Sequence, residues 1–183
     1  MILEFEHPTK ITSKDMVIFK ELDSSSSRKI KTAICSGSLQ IAAIKPDLDK
    51  PNPKMGVSSI QFSCDNRFMY SRNDSMPNIL WIWDMNKFKL TNVLIQTQAI
   101  KHVSWDPREC RLALCTQNNK IYMWSPQGCI SVEAPCEATF LIMTLKWNMD
   151  GNSLILIGKD QFCVTYLQSN SSQENGESNL ERN

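Results

Sequence analysis

Histidine is almost missing from this chain: His7 and His102 are the only two in 183 residues. The seven cysteines (Cys35, Cys64, Cys110, Cys115, Cys129, Cys136 and Cys163) contain no Cys-x-x-Cys pair and have no paired histidines, so no zinc ligand set is on offer. Their odd number and scatter suit reduced thiols in the cytoplasm. Glycine is scarce too, with six spread thinly, and none sits in a phosphate-cradling loop. Charge of either sign barely accumulates: 20 basic residues face 19 acidic ones, for a net +1. Phosphate recognition rests on clustered Lys and Arg, so the absence of a basic stripe argues against nucleic acid. No apolar run approaches the roughly 20 residues of a membrane helix, and Met1-Ile2-Leu3-Glu4-Phe5-Glu6 is not a secretory signal. These absences leave no cofactor, metal or membrane to expect.

What the chain does have is 42% hydrophobic residues and a repeat. Trp81-Ile82-Trp83-Asp84 returns as Tyr122-Met123-Trp124-Ser125 and, weakened, as Thr165-Tyr166-Leu167. Each copy opens on an apolar–x–aromatic step: Ile60-x-Phe62, Val103-x-Trp105 and Leu145-x-Trp147. The opening aromatics are 43 and 42 residues apart; the closing ones, Trp83, Trp124 and Tyr166, are 41 and 42 apart. A period of about 40–45 residues with four strands per unit is that of WD40-type β-propeller blades. The expected fold is all-β.

Between the landmarks lie second strands starting at Phe68, Leu112 and Leu154, each six residues before a short polar residue: Asp74, Asn118 and Asp160. Asp and Asn hydrogen-bond the backbone two residues on, so these three are expected to brace tight turns. The first copy carries about three extra residues around Ser75-Met76-Pro77-Asn78. Fourth strands are expected over Phe88–Ile95 and Cys129–Ala134, but none after the third copy. The chain divides into a degenerate blade over 1–55, with a flexible Ser-rich loop and a Pro-rich connector, blades over 56–98 and 99–138, an incomplete last blade over 139–167, and a tail over 168–183 too polar to order itself. Met1 to Phe5 reads as an orphan fourth strand of a preceding blade. Propellers close with typically four to eight blades, so three and a partial one form an incomplete ring.

Candidate site residues follow from the same pattern. Trp83, Trp105, Trp124 and Trp147 hold fixed repeat positions and are expected to pack between blades with their indole N–H groups bonded. Asp74, Asp84, Asn118 and Asp160 are the polar repeat positions. Trp81 has Tyr122 and Val164 as counterparts, so it is the tryptophan expected to face a partner. Met76 and Pro77 join it, because their insertion departs from the repeat and packing does not require it. Arg108-Glu109-x-Arg111 reads as exposed rim decoration. A relay of Ser104, His102 and Asp106 is not expected, because three residues spaced along one strand do not converge as a triad does. No catalytic residue is expected.

The strings Asn52-Pro53-Lys54-Met55-Gly56, Arg72-Asn73-Asp74, Pro77-Asn78, Trp81-Ile82-Trp83-Asp84, Trp105-Asp106-Pro107, Arg111-Leu112-Ala113, Trp124-Ser125-Pro126, Gly128-Cys129 and Lys159-Asp160-x-Phe162-Cys163 occur in one order. In this the chain resembles the C-terminal portion of the WD repeat-containing protein 8 family, from about Leu3 to Leu167. The resemblance implies a non-enzymatic scaffold at the centrosome and spindle pole, within the cytoplasmic cytoskeleton. It also implies a coiled-coil centrosomal anchoring protein and a kinesin-14 motor as partners, with roles in microtubule anchoring, spindle organisation and cilium assembly. It carries over no binding residue. Periodicity alone fits equally a WD-repeat substrate-recognition subunit of another complex, such as a ubiquitin ligase.

Overall fold

A computed structural model describes residues 2–22, 32–49, 51–134, 137 and 139–167. The N-terminal region holds four short strands: β1 (Lys10–Thr12), β2 (Val17–Glu21), β3 (Thr32–Ile34) and β4 (Ser38–Gln40). The first repeat supplies β5 (Val57–Phe62), β6 (Phe68–Asn73), β7 (Ile79–Asp84) and β8 (Lys89–Ile95). The second supplies β9 (His102–Trp105), β10 (Leu112–Cys115), β11 (Lys120–Ser125) and β12 (Gly128–Glu133). The third supplies β13 (Thr144–Trp147), β14 (Ser153–Ile157) and β15 (Phe162–Tyr166).

Within each repeat successive strands pair antiparallel, giving two four-stranded meanders and a three-stranded one. Alternating side chains give each sheet two apolar faces, and stacking buries them. Phe68, Tyr70, Leu80 and Ile82 from the first repeat meet Leu112, Leu114, Tyr122 and Trp124 from the second. The second repeat's other face, with Ala113, Cys115 and Ile121, meets Leu145, Trp147, Leu154 and Leu156 of the third. The architecture is an incomplete WD40-type propeller.

Register shows which residues are equivalent. Phe62–Met69–Trp83, Trp105–Leu112–Trp124 and Trp147–Leu154–Thr165 lie opposite one another in the three sheets. The counterpart of Trp83 and Trp124 is therefore Thr165, not Tyr166. Tyr166 pairs with Ser153 and is 74% exposed. A slip of one residue turns a side chain to the opposite face, so the distinction is physical. The counterpart of Trp81 is likewise Cys163 rather than Val164.

The region 1–55 is divided between two sheets. β1 pairs with β4 by themselves, whereas β2 runs parallel to β8 and carries β3 outside it, extending the first repeat to six strands. Residues 2–5 form no strand, contrary to the orphan fourth strand expected there. Of these, Phe5 packs on the first repeat, its ring edge-on to Trp83 at 5.1 Å, while Ile2 stays exposed. The Ser-rich loop at 24–29 and the tail at 168–183 fall outside the described residues.

Candidate interaction cleft

Two tryptophans of the first repeat face the N-terminal region, and their surroundings define how the cleft is built. Trp83 Nε1 donates to Ser71 Oγ at 2.7 Å, and His7 Nε2 lies 2.7 Å from the same oxygen. His7 Nδ1 lies 3.1 Å from Asn73 Nδ2. The Asn73 amide is oriented by its Oδ1, which accepts from Ser75 N, so Nδ2 is the donor to the ring. His7 Nδ1 must then be unprotonated and Nε2 must carry the hydrogen. Burial lowers the His7 pKa, which favours that neutral form. The ring also stacks obliquely on Trp81 at 5.0 Å.

Trp81 is consequently fully buried, which corrects its expected partner-facing role. Met76 is corrected in the same way. It is 4% exposed and packs with Ile11, Ile18, Ile41 and Trp81. The insertion that carries it is a hub of backbone bonds: Ser75 O accepts from Ile44 N, Pro77 O from Ile100 N, and Asn78 O from Gln96 N. Packing does use these extra residues, because the N-terminal segments fill the space in front of them. Pro77 alone of the three stays at the surface, half-buried on the wall of a cleft.

That cleft, about 670 Å³, lies between the end of β2, the β4 strand with the chain that follows it, the insertion, and the connector from β8 to β9. Its floor is aliphatic, with Ile41, Ile79 and Ile95 all buried. Glu21 stands at one side with its carboxylate fully engaged. Oε2 accepts from Thr97 N at 3.0 Å and Thr97 Oγ1 at 2.8 Å, and Oε1 accepts from Tyr122 O–H at 2.5 Å. Asn118 Nδ2 donates in turn to the Tyr122 hydroxyl. A buried carboxylate is tolerable only when so satisfied. Burial and the Glu21 bond raise the Tyr122 pKa well above that of an ordinary phenol. At the opposite side, Asn78 Nδ2 donates to Gln96 O, while the Gln96 side-chain oxygen is buried without a partner among the described residues.

The remaining repeat positions are scaffold. Trp105 Nε1 donates to Gln61 O and Trp147 Nε1 to Ser104 O, one rung apart in the stack. Trp124 is buried edge-on against Phe68 and Trp105. Asp84 Oδ1 accepts from Asn86 N and Lys87 N, bracing the turn after β7. Asn118 Oδ1 accepts from Lys120 N. In the first repeat the matching brace is Asn73, whereas Asp74 accepts from Ser58 Oγ. Asp160 is exposed, in the turn closed by Gly158 N to Gln161 O.

Arg111 and Arg108, expected as rim decoration, instead join the second repeat to the third. Arg111 Nε meets the fully buried Asp106 Oδ2 at 2.5 Å, its Nη2 donates to Gly151 O, and its guanidinium lies over the Trp147 ring. Arg108 Nε donates to Met149 O. Asp106 is thereby committed to a structural ion pair and to two backbone N–H groups, of Arg108 and Glu109. Ser104 Oγ donates to Trp105 O, so Ser104 and Asp106 are both engaged apart from His102. The Cys115 thiol is pushed up to about 11 by burial, which makes it a poor nucleophile at neutral pH. Among the described residues, no three His, Cys, Asp or Glu side chains are placed to share a metal ion.

No family model matches the sequence. The chain is 39% identical over 189 residues to WD repeat-containing protein WRAP73 of Mus musculus, covering 92% of this chain and 41% of that protein. It is 34% identical over 102 residues to an uncharacterized WD repeat-containing protein of Schizosaccharomyces pombe, covering 55% of this chain and 19% of the relative. The chain thus spans less than half the length of either relative. Among solved structures, a chain of the mitotic checkpoint complex superposes with a TM-score of 0.49 at 14% identity, covering 62% of this chain and 36% of that one. Stacked meanders of this period, in a chain matched over 92% of its length by one WD-repeat protein and over 55% by another, support a WD-repeat family for this chain.

Proposed function

We propose that this WD-repeat chain is a non-enzymatic scaffold for protein–protein interaction at the centrosome or spindle pole. Its partners in this reading are a coiled-coil centrosomal anchoring protein and a kinesin-14 motor, and its roles lie in microtubule anchoring, spindle organisation and cilium assembly. The observation that carries the scaffold part is the cleft. Its walls are strand ends and loops held on packed sheets, and its one carboxylate, that of Glu21, is spent on structure rather than poised for chemistry. Loops on a rigid scaffold are where binding residues concentrate. The centrosomal part rests on the resemblance of the ordered strings between Asn52 and Cys163 to the WD repeat-containing protein 8 family. Proximity labelling from the tagged chain in dividing cells tests it. Coiled-coil centrosomal proteins and microtubule motors are expected among the labelled neighbours. Labelling dominated by cullin adaptors would instead favour a ubiquitin-ligase receptor.

A further inference from the structure

We infer that the cleft beside Gln96 binds an extended peptide segment of a partner protein, seating one aliphatic side chain on the isoleucine floor and presenting one backbone N–H to the Gln96 side-chain oxygen. This rests on the scaffold reading and names what the scaffold holds.

The cleft's chemistry is narrow. At about 670 Å³ it lies within the roughly 300–1,000 Å³ range of preformed binding sites. Its floor of Ile41, Ile79 and Ile95 accepts only apolar groups. Among the described residues no aromatic side chain lines it, and these offer no stacking platform for a planar ligand. Both Glu21 oxygens are occupied by Tyr122 and Thr97, so this carboxylate has no ready site for an incoming cation. Lys20 is exposed at the rim and gives an anion a single solvated contact. What is left over is an acceptor. Gln96 is 3% exposed, its backbone N–H and carbonyl are both taken by Asn78, and its Oε1 has no partner among the described residues. The terminal amide torsion of Gln is broad, so a small rotation brings this oxygen to a donor entering the cleft. At the rim Ile44 is left 60% exposed, an aliphatic surface that a bound segment would cover.

A peptide in extended conformation matches all of this. It presents neutral N–H donors beside side chains that alternate in direction, so one residue faces the floor while its neighbour faces solvent. The pairing also explains the spare acceptor, which a purely apolar ligand would leave unsatisfied.

The test uses a phage-displayed library of random eight-residue peptides, selected on the full chain and counter-selected on Ala99→Trp, which fills the cleft from its wall. Ala42→Trp fills it from an exposed position and serves as the second variant. Synthetic copies of the enriched peptides are then measured by fluorescence anisotropy. The expected result is a consensus with one Leu, Ile or Val. Affinity should fall at least ten-fold in either tryptophan variant and about five-fold in Gln96→Leu. Methylating the peptide nitrogen that meets Gln96 should cost a similar factor against the wild-type chain and nothing further against Gln96→Leu. Peptides that bind all four chains equally, or selection that yields no aliphatic consensus, would overturn the proposal. If Ala99→Trp and Ala42→Trp leave proximity labelling of centrosomal proteins intact while peptide binding is absent, the cleft is wrong and the scaffold reading stands.

Discussion

His7 is the residue through which pH should reach this fold. Its ring must be neutral for Nδ1 to accept from Asn73, and burial lowers its pKa below the ordinary 6.5. Unfolded chains then bind a proton that the folded chain resists. The associated stability is complete above about pH 6.5 and is lost as pH falls through the folded-state pKa. His102 shifts the same way, by burial and by the nearby Arg72 charge, and adds to the slope. Urea melts between pH 7.5 and 5.5 should show stability declining on the acid side, and His7→Gln should flatten that decline more than a surface control does. An unchanged slope in His7→Gln would show that the His7 bonds do not hold the N-terminal segment in place. Gly151 is the second decisive residue. Its φ of +74° suits glycine, and a Cβ there would lie 2.7 Å from Asp106 Oδ1. Gly151→Ala should therefore cost about 2 kcal/mol, the scale of a non-glycine residue held in left-handed backbone. A neutral result in denaturant melts would mean that Asp106 and Arg111 can part freely.

At the scale of single strands, register separates two residues that sequence spacing makes look alike. Trp124 on β11 is buried between the first and second repeats, so Trp124→Ala should cost about 3–5 kcal/mol. Tyr166 on β15 ends the equivalent strand of the third repeat but points outward opposite Ser153. Tyr166→Ala should stay within about 0.5 kcal/mol, as exposed substitutions usually do. Paired chemical melts of the two variants decide the matter. A large loss at Tyr166 would return the closing aromatic to the position that spacing alone suggests. The strands themselves were legible in advance, because alternation, Asp–Gly-type turns and the repeated aromatic are local signals. Which member of Thr165–Tyr166 faces inward was not, since both sit at the end of a short strand and only pairing with Leu154 fixes it.

For the molecule as a whole, the stack of sheets leaves an apolar row exposed among the described residues. Phe162, Val164 and Tyr166 lie exposed in a row on β15, whose pairing among the described residues is to β14 on one side only. Exposed strand edges and apolar rows promote self-association. Size-exclusion chromatography with light scattering should show concentration-dependent association, reduced by Val164→Lys. A strict monomer over a hundred-fold range of concentration would count against it. At the other end of the stack the equivalent problem does not arise. Phe5, His7, Ile11 and Ile18 cover Trp81 and Trp83 there.

Sequence by itself determined the repeat, its roughly 42-residue period, the strand order within each copy and the exclusion of metal and phosphate motifs, since each depends on residues close together in the chain. It also located the Ser75–Asn78 insertion, although not its role. Tertiary structure alone decided the rest. His7 reaches Ser71 across 64 residues, Glu21 reaches Tyr122 across 101, and Arg111 reaches Gly151 across 40. β2 runs parallel to β8 although no repeat specifies it. Those long contacts bury Trp81 and Met76, engage the Glu21 carboxylate and leave Gln96 with a spare acceptor beside an aliphatic floor. Local pattern sets which face of a strand is apolar. What comes to cover that face depends on pairing between distant segments, and no local periodicity encodes it.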